Sequence, residues 1–456
     1  EGVFLFYRHR CRPVARSLRR VGGGGGRGRD GREGKREGRS DLSPRRVSPP
    51  LKKNTPEKNA KTIQGGPRTA EEEQRLKDLE ASFEYMGKEM CAADGMCQEK
   101  CPVKINTGEL VKSLRADDVS SSQPRAAAAA LALSKRMGAI TTVVPPFLNL
   151  VDVARKVLGP SAMASISAAL NKVSGRAIPT WNEYMPRGAK PLPTPPAPAP
   201  AEAKRRKVVY LPSCVTRMMG PAGTDVAASS AAPSAASSST PDALLSLCSK
   251  AGVDVVYPPG VSSLCCGMMF GSKGFSEAAN DSAARVEAAL MEASDGGRHP
   301  IVCDTSPCLA TLKEKLASGP LKFALYEPAG FVRHFLEDRL DFEPVRDRVA
   351  VHVPCSSKKM GATSDVERLA GRAAREVVPS GVPCCGMAGD RGMRYPELTG
   401  GALQHLETAG CADGVSTSRT CEMSLSNHSG IHFRGLLTLL DEAATPKRER
   451  SAKAAA

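Results

Sequence analysis

Lys207-Val208-Val209-Tyr210-Leu211-Pro212-Ser213-Cys214 and Arg348-Val349-Ala350-Val351-His352-Val353-Pro354-Cys355 decide how this chain is read. Each is an apolar, β-branched run, the composition of a buried strand, that ends in a proline-bearing turn and a cysteine. The parallel continues downstream. Cys265-Cys266-Gly267-Met268 corresponds to Cys384-Cys385-Gly386-Met387, and Thr305-Ser306-Pro307-Cys308-Leu309 corresponds to Ser418-Arg419-Thr420-Cys421-Glu422. Strand patterns at 253–257 and 300–304 alternate with helical patterns at 276–293 and 308–318. The expectation is two α/β units with mostly parallel strands, related by internal duplication. The cysteine-to-pair spacing is about 22 residues longer in the first unit, and an Ala/Ser run over 222–241 accounts for it as a surface insertion.

Each unit thus places one cysteine after a strand, a Cys-Cys-Gly in a loop and a last cysteine at the start of a helix. Open α/β sheets gather ligands at the carboxyl ends of their strands, where these four can converge. The glycine lets the backbone turn so that both thiols of the pair face one point. A helix N-terminus favours the thiolate of Cys308 or Cys421. One buried cysteine is an ordinary small hydrophobe, but the same pattern twice predicts metal ligation by Cys214, Cys265, Cys266 and Cys308, and by Cys355, Cys384, Cys385 and Cys421. Cys11, Cys248 and Cys411 have no repeat partners and read as core or surface thiols. Cys303 is ambiguous, and the histidines are too scattered to nominate.

Upstream lies Cys91-Ala92-Ala93-Asp94-Gly95-Met96-Cys97-Gln98-Glu99-Lys100-Cys101-Pro102. Its cadence is that of a bacterial ferredoxin loop, C-x2-C-x2-C-x3-C-P, with Asp94 where the second cysteine stands. Zinc more often takes two separated C-x2-4-C pairs, so the prediction is an iron–sulfur loop with Cys91, Asp94, Cys97 and Cys101 as ligands. Flanking helical patterns (70–90; 107–116 with Thr107 as N-cap; 126–138; 150–174) complete a small α-helical ferredoxin-like domain. The predicted organisation is a disordered basic tail (1–69), this helical domain (70–185), a Pro-rich linker (186–204), a first (205–345) and a second (346–445) cysteine-rich domain, and a short tail (446–456).

The formal charge of +16 is concentrated in the tail, since residues 1–60 hold 17 Lys/Arg against 6 Asp/Glu. With 4% aromatics there is no stacking platform, so nucleic acid is not an expected partner. Asp30, Glu33 and Glu37 argue against an organelle-targeting peptide. Pro145-Pro146 interrupts the most apolar stretch, which leaves at most peripheral membrane contact. Adjacent cysteines strain if paired with each other, so the 15 cysteines read as reduced thiols in a reducing compartment, the mitochondrial matrix or the cytoplasm.

The Cys-Cys-Gly repeats resemble the cysteine-rich domains of heterodisulfide reductase, of the iron–sulfur subunits of glycolate oxidase and anaerobic glycerol-3-phosphate dehydrogenase, and of lactate-utilisation proteins. More narrowly, 91–115, WNEYMP (181–186), CDTSPC (303–308) and SRTCEMSLS (418–426) resemble the carboxy-terminal half of FAD- and iron–sulfur-containing D-lactate dehydrogenases of the cytochrome-linked type. The resemblance implies [4Fe-4S] clusters that carry electrons from FAD, held by a flavin domain or flavoprotein subunit, to a cytochrome or quinone. No flavin domain is visible, and the chain reads as the carboxy-terminal part of a longer enzyme. The closing C-x2-C of such domains is here Thr305-x2-Cys308 and Ser418-x2-Cys421, one thiol fewer each. A thiol–disulfide reductase and a zinc-stabilised interaction protein are the readings from other classes.

Overall fold

A computed structural model describes residues 69–196, 205–222 and 238–447. The basic tail, Cys11, most of the Ala/Ser insertion, the end of the Pro-rich linker and the last residues lie outside these segments. The chain divides into two units, Glu1–Ala81 and Ser82–Ala456. Helix α1 (Ala70–Phe83) begins with Glu71, Glu72 and Glu73, charges that suit the positive end of its dipole.

Four helices follow the cysteine loop: α2 (Thr107–Ser122), α3 (Pro124–Lys135), α4 (Met137–Leu158) and α5 (Pro160–Val173). The cap of α2 is Asn106, whose side chain accepts from Gly108 N–H at 3.0 Å. Thr107, the expected cap, lies one residue inside the helix, and its hydroxyl bonds elsewhere. Gly159, at φ +82°, stops α4, and Pro160 starts α5 with φ preset.

Helix α4 corrects an expectation, because it runs through Pro145-Pro146 unbroken for 22 residues. Its buried residues Met137, Thr141, Pro145 and Leu148 fall on one face, and packing of that face outweighs the hydrogen bonds the prolines forgo. Thr141 Oγ1 donates to Ser262 O at 2.9 Å, and Gly188 packs so tightly on the Pro145 carbonyl that no Cβ fits there. By length and composition alone α4 could cross a membrane, and only 17% of its apolar window is buried.

Two four-stranded sheets follow. The first contains β1 (Arg206–Leu211), β2 (Val253–Val256), β3 (Ile301–Cys303) and β4 (Leu325–Tyr326) in the order β2-β1-β3-β4. The second contains β5 (Arg346–Val351), β6 (Ala374–Pro379), β7 (Asp413–Ser416) and β8 (His432–Gly435) in the order β6-β5-β7-β8. Every pairing in both is parallel, and the strand order is the same. Helices α6 (Thr240–Lys250), α7 (Ser276–Ala293) and α8 (Ser306–Lys315) belong to the first sheet; α9 (Thr363–Ala373), α10 (Arg419–Ser429) and α11 (Leu436–Ala443) belong to the second.

The halves share one hydrophobic cluster. Leu244 and Leu247 of α6 and Phe331 join Leu369 of α9 and Leu437 and Leu440 of α11. Polar ties cross the same seam: Ser356 to Ser306 at 2.8 Å, and Ser357 Oγ donating to Glu327 at 2.9 Å. Burial pushes Glu327 up to about 7, and its second oxygen has no partner. A carboxyl raised in the fold is favoured neutral, so stability falls as pH rises from the unfolded value near 4.5 through about 7, then levels. Glu327→Gln should therefore raise the unfolding free energy by ~3 kcal/mol at pH 8 and leave it unchanged near pH 4, as urea titrations at the two pH values would read.

Candidate metal centres

In each sheet the strand order reverses beside the first strand, and ligands of open α/β sheets collect at that crevice. The cysteines sit there. Cys214 opens the short helix Cys214–Met218 straight after β1, and Cys308 lies in the first turn of α8 after β3. In the second half Cys355 opens the helix Cys355–Lys359 after β5, and Cys421 lies in the first turn of α10 after β7.

The first centre is almost closed to solvent, with Cys214, Cys265, Cys266 and Cys308 all buried as free thiols. Cys265 and Cys214 share a hydrogen bond at 4.0 Å, and Cys266 lies close to Cys308. The hydrogen bond from Cys214 holds Cys265 well below a normal thiol; that of Cys266, the N–H of Gly267 and the charge of Arg217 assist. Arg217 is itself buried and bonds the carbonyls of Ser262 and Leu264, the residues that lead into the pair. Thr305, in the place of the absent thiol, bonds Ser213 Oγ at 2.8 Å. Cys303 and Cys248 are core thiols, each raised chiefly by burial.

The second centre repeats this plan with different neighbours. Cys385 donates to Cys421 at 3.1 Å, Gly386 N–H donates to Cys384 Sγ at 3.4 Å, and the thiols of Cys355 and Cys384 lie within 4.8 Å of each other. Lys358 stands where Arg217 stands, three residues after the first cysteine, and bonds the carbonyls of Val382 and Pro383 at 2.9 and 3.4 Å. The hydrogen bond from Cys385 brings Cys421 down to about 6 against the effect of burial, and His352 adds to the lowering. His352 is fully buried; Nδ1 bonds Ser380 at 2.9 Å and Nε2 has no hydrogen-bond partner. Its counterpart in the first half is Leu211.

The upstream loop divides between places. Cys97 accepts from Thr107 Oγ1 at 3.1 Å; burial raises this thiol, but that bond and backbone N–H groups outweigh it and leave it lowered. Arg115 donates to the carbonyls of Cys91 and Ser272 at 2.9 and 2.7 Å, tying the loop down. Asp94 leaves its loop companions: its carboxylate and the thiols of Cys355 and Cys384 all lie within 4.8 Å of one another. Burial, then the Cys384 thiol, raise it to about 6. No other group of three such donors is this tight among the described residues, so neither Cys91, Cys97 and Cys101 nor any three of Cys214, Cys265, Cys266 and Cys308 form one.

Sequence reasoning singled out the cysteines that pair here, Cys214 with Cys265 and Cys385 with Cys421, and missed three residues that hold or face them. A signal existed for two, the basic residue in Cys214-x2-Arg217 and Cys355-x2-Lys358. His352, part of a strand, carried none.

The donor set fits a metal group. Unbridged thiols come together from separate loops, with peptide N–H groups on their sulfurs and cations beside them. Sulfur spacings of 3.1 and 4.0 Å bracket the edge of about 3.8 Å for four thiolates on one metal ion with 2.3 Å bonds. The thiolates of a cubane cluster bind separate irons and stand farther apart, so spacing matches a single ion, and the iron–sulfur reading rests on the kind of donors and on comparisons with known proteins. The family model described as CCG, the cysteine-rich domain, matches residues 208–313, from β1 past Cys308. Over 194 residues the chain is 25% identical to a subunit of the anaerobic glycerol-3-phosphate dehydrogenase of Escherichia coli, in strains K12 and O157:H7 alike. These alignments cover 39% of the chain and 49% of each relative, so the chain spans about half the length of the curated relatives it matches. The chain carries a cysteine-rich domain of the CCG type, and its thiols point to iron–sulfur clusters.

Proposed function

We propose that this chain is the iron–sulfur electron-transfer part of a flavin-linked dehydrogenase. The observation that carries the reading is the repeated placing of cysteines at the helix starts that follow the first and third strands of two like sheets, together with the match of the first to the cysteine-rich family. Bound there, [4Fe-4S] clusters supply one-electron carriers between FAD on a flavin domain or flavoprotein subunit and a quinone or cytochrome. Cys214, Cys265, Cys266 and Cys308 are the proposed ligands of one centre, and Cys355, Cys384, Cys385 and Cys421 of the other. Cys91, Cys97 and Cys101 are proposed for a cluster of the ferredoxin type. Arg217 and Lys358 hold the Cys-Cys loops in place. The exposed apolar side chains of α4, among them Val143, Phe147, Leu150 and Val157, suit a chain that docks on a partner.

Two substrate readings remain side by side. The relatives favour a separate subunit of the glycerol-3-phosphate type. The narrower D-lactate reading draws on residues 181–186, whose Trp181, Asn182 and Glu183 line a cavity of about 390 Å³ with Met387 and Ser424. Ser424 also donates to the carbonyl of Cys385 at 2.8 Å.

Iron, zinc and acid-labile sulfide should be counted on protein purified and reconstituted without oxygen, with EPR after dithionite reduction. Iron with matching sulfide and a reducible signal is expected, with Cys265→Ser and Cys384→Ser each removing a different part. Zinc without sulfide would overturn the reading and favour the interaction-protein alternative. Reduction of the signal by D-lactate or by glycerol 3-phosphate, with the flavoprotein added, then separates the substrate readings.

A further inference from the structure

Asp94 is the feature that the duplicated plan does not explain. The loop residues Cys91–Gly95 come before both cysteine-rich halves in the chain, yet the Asp94 carboxylate lies with Cys355 and Cys384, about 260 residues further on. The placement is built. Lys359 Nζ donates to the main-chain carbonyl of Asp94 at 2.9 Å, so the lysine anchors the backbone and leaves the carboxylate turned to the thiols. Ala93 and Gly95 take positive φ, +50° and +73°, which makes the tight turn. A Cβ on Gly108 would press on Ala93 at 3.2 Å, and Arg391 holds Glu89 O at 3.0 Å just before the turn.

The donors are those of a metal site: one carboxylate and two thiols within 4.8 Å of each other. The carboxylate takes one hydrogen bond from the backbone, Met96 N–H to Oδ1 at 3.1 Å. The first centre has no such acid: Asp304 is nearby, but its oxygens are taken by Tyr210 at 2.7 Å and Ser213 N–H at 2.9 Å.

We propose that Asp94 is a ligand of the second cysteine centre in place of Cys385, binding iron beside Cys355, Cys384 and Cys421 while Cys385 serves as a hydrogen-bond donor to Cys421, and not a ligand of a centre built on Cys91 and Cys97. The inference rests on the cluster reading above and deepens it. The two duplicated centres then differ in kind, one all-thiolate and one with a hard oxygen donor contributed from outside its own domain. The cysteine loop is thereby tied to the second half through the metal.

The test uses the full chain, reconstituted with iron and sulfide without oxygen, as Asp94→Ala, Asp94→Asn and Asp94→Cys beside Cys97→Ser and Cys384→Ser. Loss of about one iron per chain, one cluster corner, is expected in Asp94→Ala, and the EPR signal that changes should be the one Cys384→Ser removes. Asp94→Asn keeps the shape of the turn and carries the test if the alanine variant fails to fold. Asp94→Cys should keep the iron and shift the midpoint potential of that signal alone. An unchanged signal in Asp94→Ala and Asp94→Asn, or a change confined to the signal that Cys97→Ser removes, would overturn the assignment. If Cys384→Ser removes no signal, the cluster reading of the second half fails first and takes this proposal with it.

Discussion

Gly267→Ala should lower the unfolding free energy by about 2–5 kcal/mol and disturb the first centre more than any other single methyl group. Gly267 has φ +82°, a left-handed conformation that costs an L-residue ~1–2 kcal/mol. The added Cβ would also lie 2.4 Å from the Ala279 carbonyl oxygen and 2.9 Å from its Cα, both main-chain atoms of α7. Helix backbone cannot swing aside as a side chain can, so an overpacking cost of ~1–3 kcal/mol follows. Relief requires moving the turn, and the turn carries the N–H that favours the Cys265 thiolate. Gly260→Ala is the control, since that residue shares the positive φ, +63°, but has nothing within 4 Å. It should lose only the conformational part. Urea unfolding of the two variants separates strain from collision; equal losses would show that the approach to α7 does not matter. Gly386, at φ +73° with Leu398 O at 2.5 Å, should behave as Gly267 does.

The strands, the duplicated order and the placing of cysteines at the strand ends were legible because each is written locally. A β-branched run makes the strand, a cysteine just past it must lie at the carboxyl end, and a helix start carries the last thiol. Helix α7 even falls at the expected residues, 276–293. What was not legible depends on packing between distant segments. Pro145 and Pro146 argue for a break until the loop at Ser262 and the strand at Gly188 give α4 a surface to pack on. Thr107 competes as a cap with its neighbour Asn106, an equally good one, and only the fold shows the threonine hydroxyl on Cys97. Asp94 reads as a ligand of its own loop because spacing says nothing about a second half folded against it. His352 sits on a strand among apolar residues, and nothing before the fold indicates that its ring meets Cys421.

Arg217→Ala should be the most damaging of the substitutions that leave every thiol in place. The guanidinium is buried and bonds two carbonyls, Ser262 O and Leu264 O, that bracket the approach to Cys265. Hydrogen bonds from a charged donor contribute about 1.5–3 kcal/mol each, so a loss of ~3–5 kcal/mol is expected once both acceptors are left buried. The electrostatic consequence has a definite sign. Arg217 lowers Cys265, and without it the thiolate forms only at higher pH. A difference titration of thiolate absorbance in the metal-free protein should therefore show a midpoint shifted upward in Arg217→Ala. Arg217→Lys supplies the decisive comparison. Lys358 shows that an ammonium at this position can reach the carbonyls before the pair, at 2.9 and 3.4 Å. The lysine variant should therefore recover much of the thiol shift, because the charge is kept. It should recover less of the stability, because a single ammonium does not match the fork that holds Ser262 and Leu264 together. Full recovery of both would make Arg217 a charge alone; recovery of neither would make it packing alone.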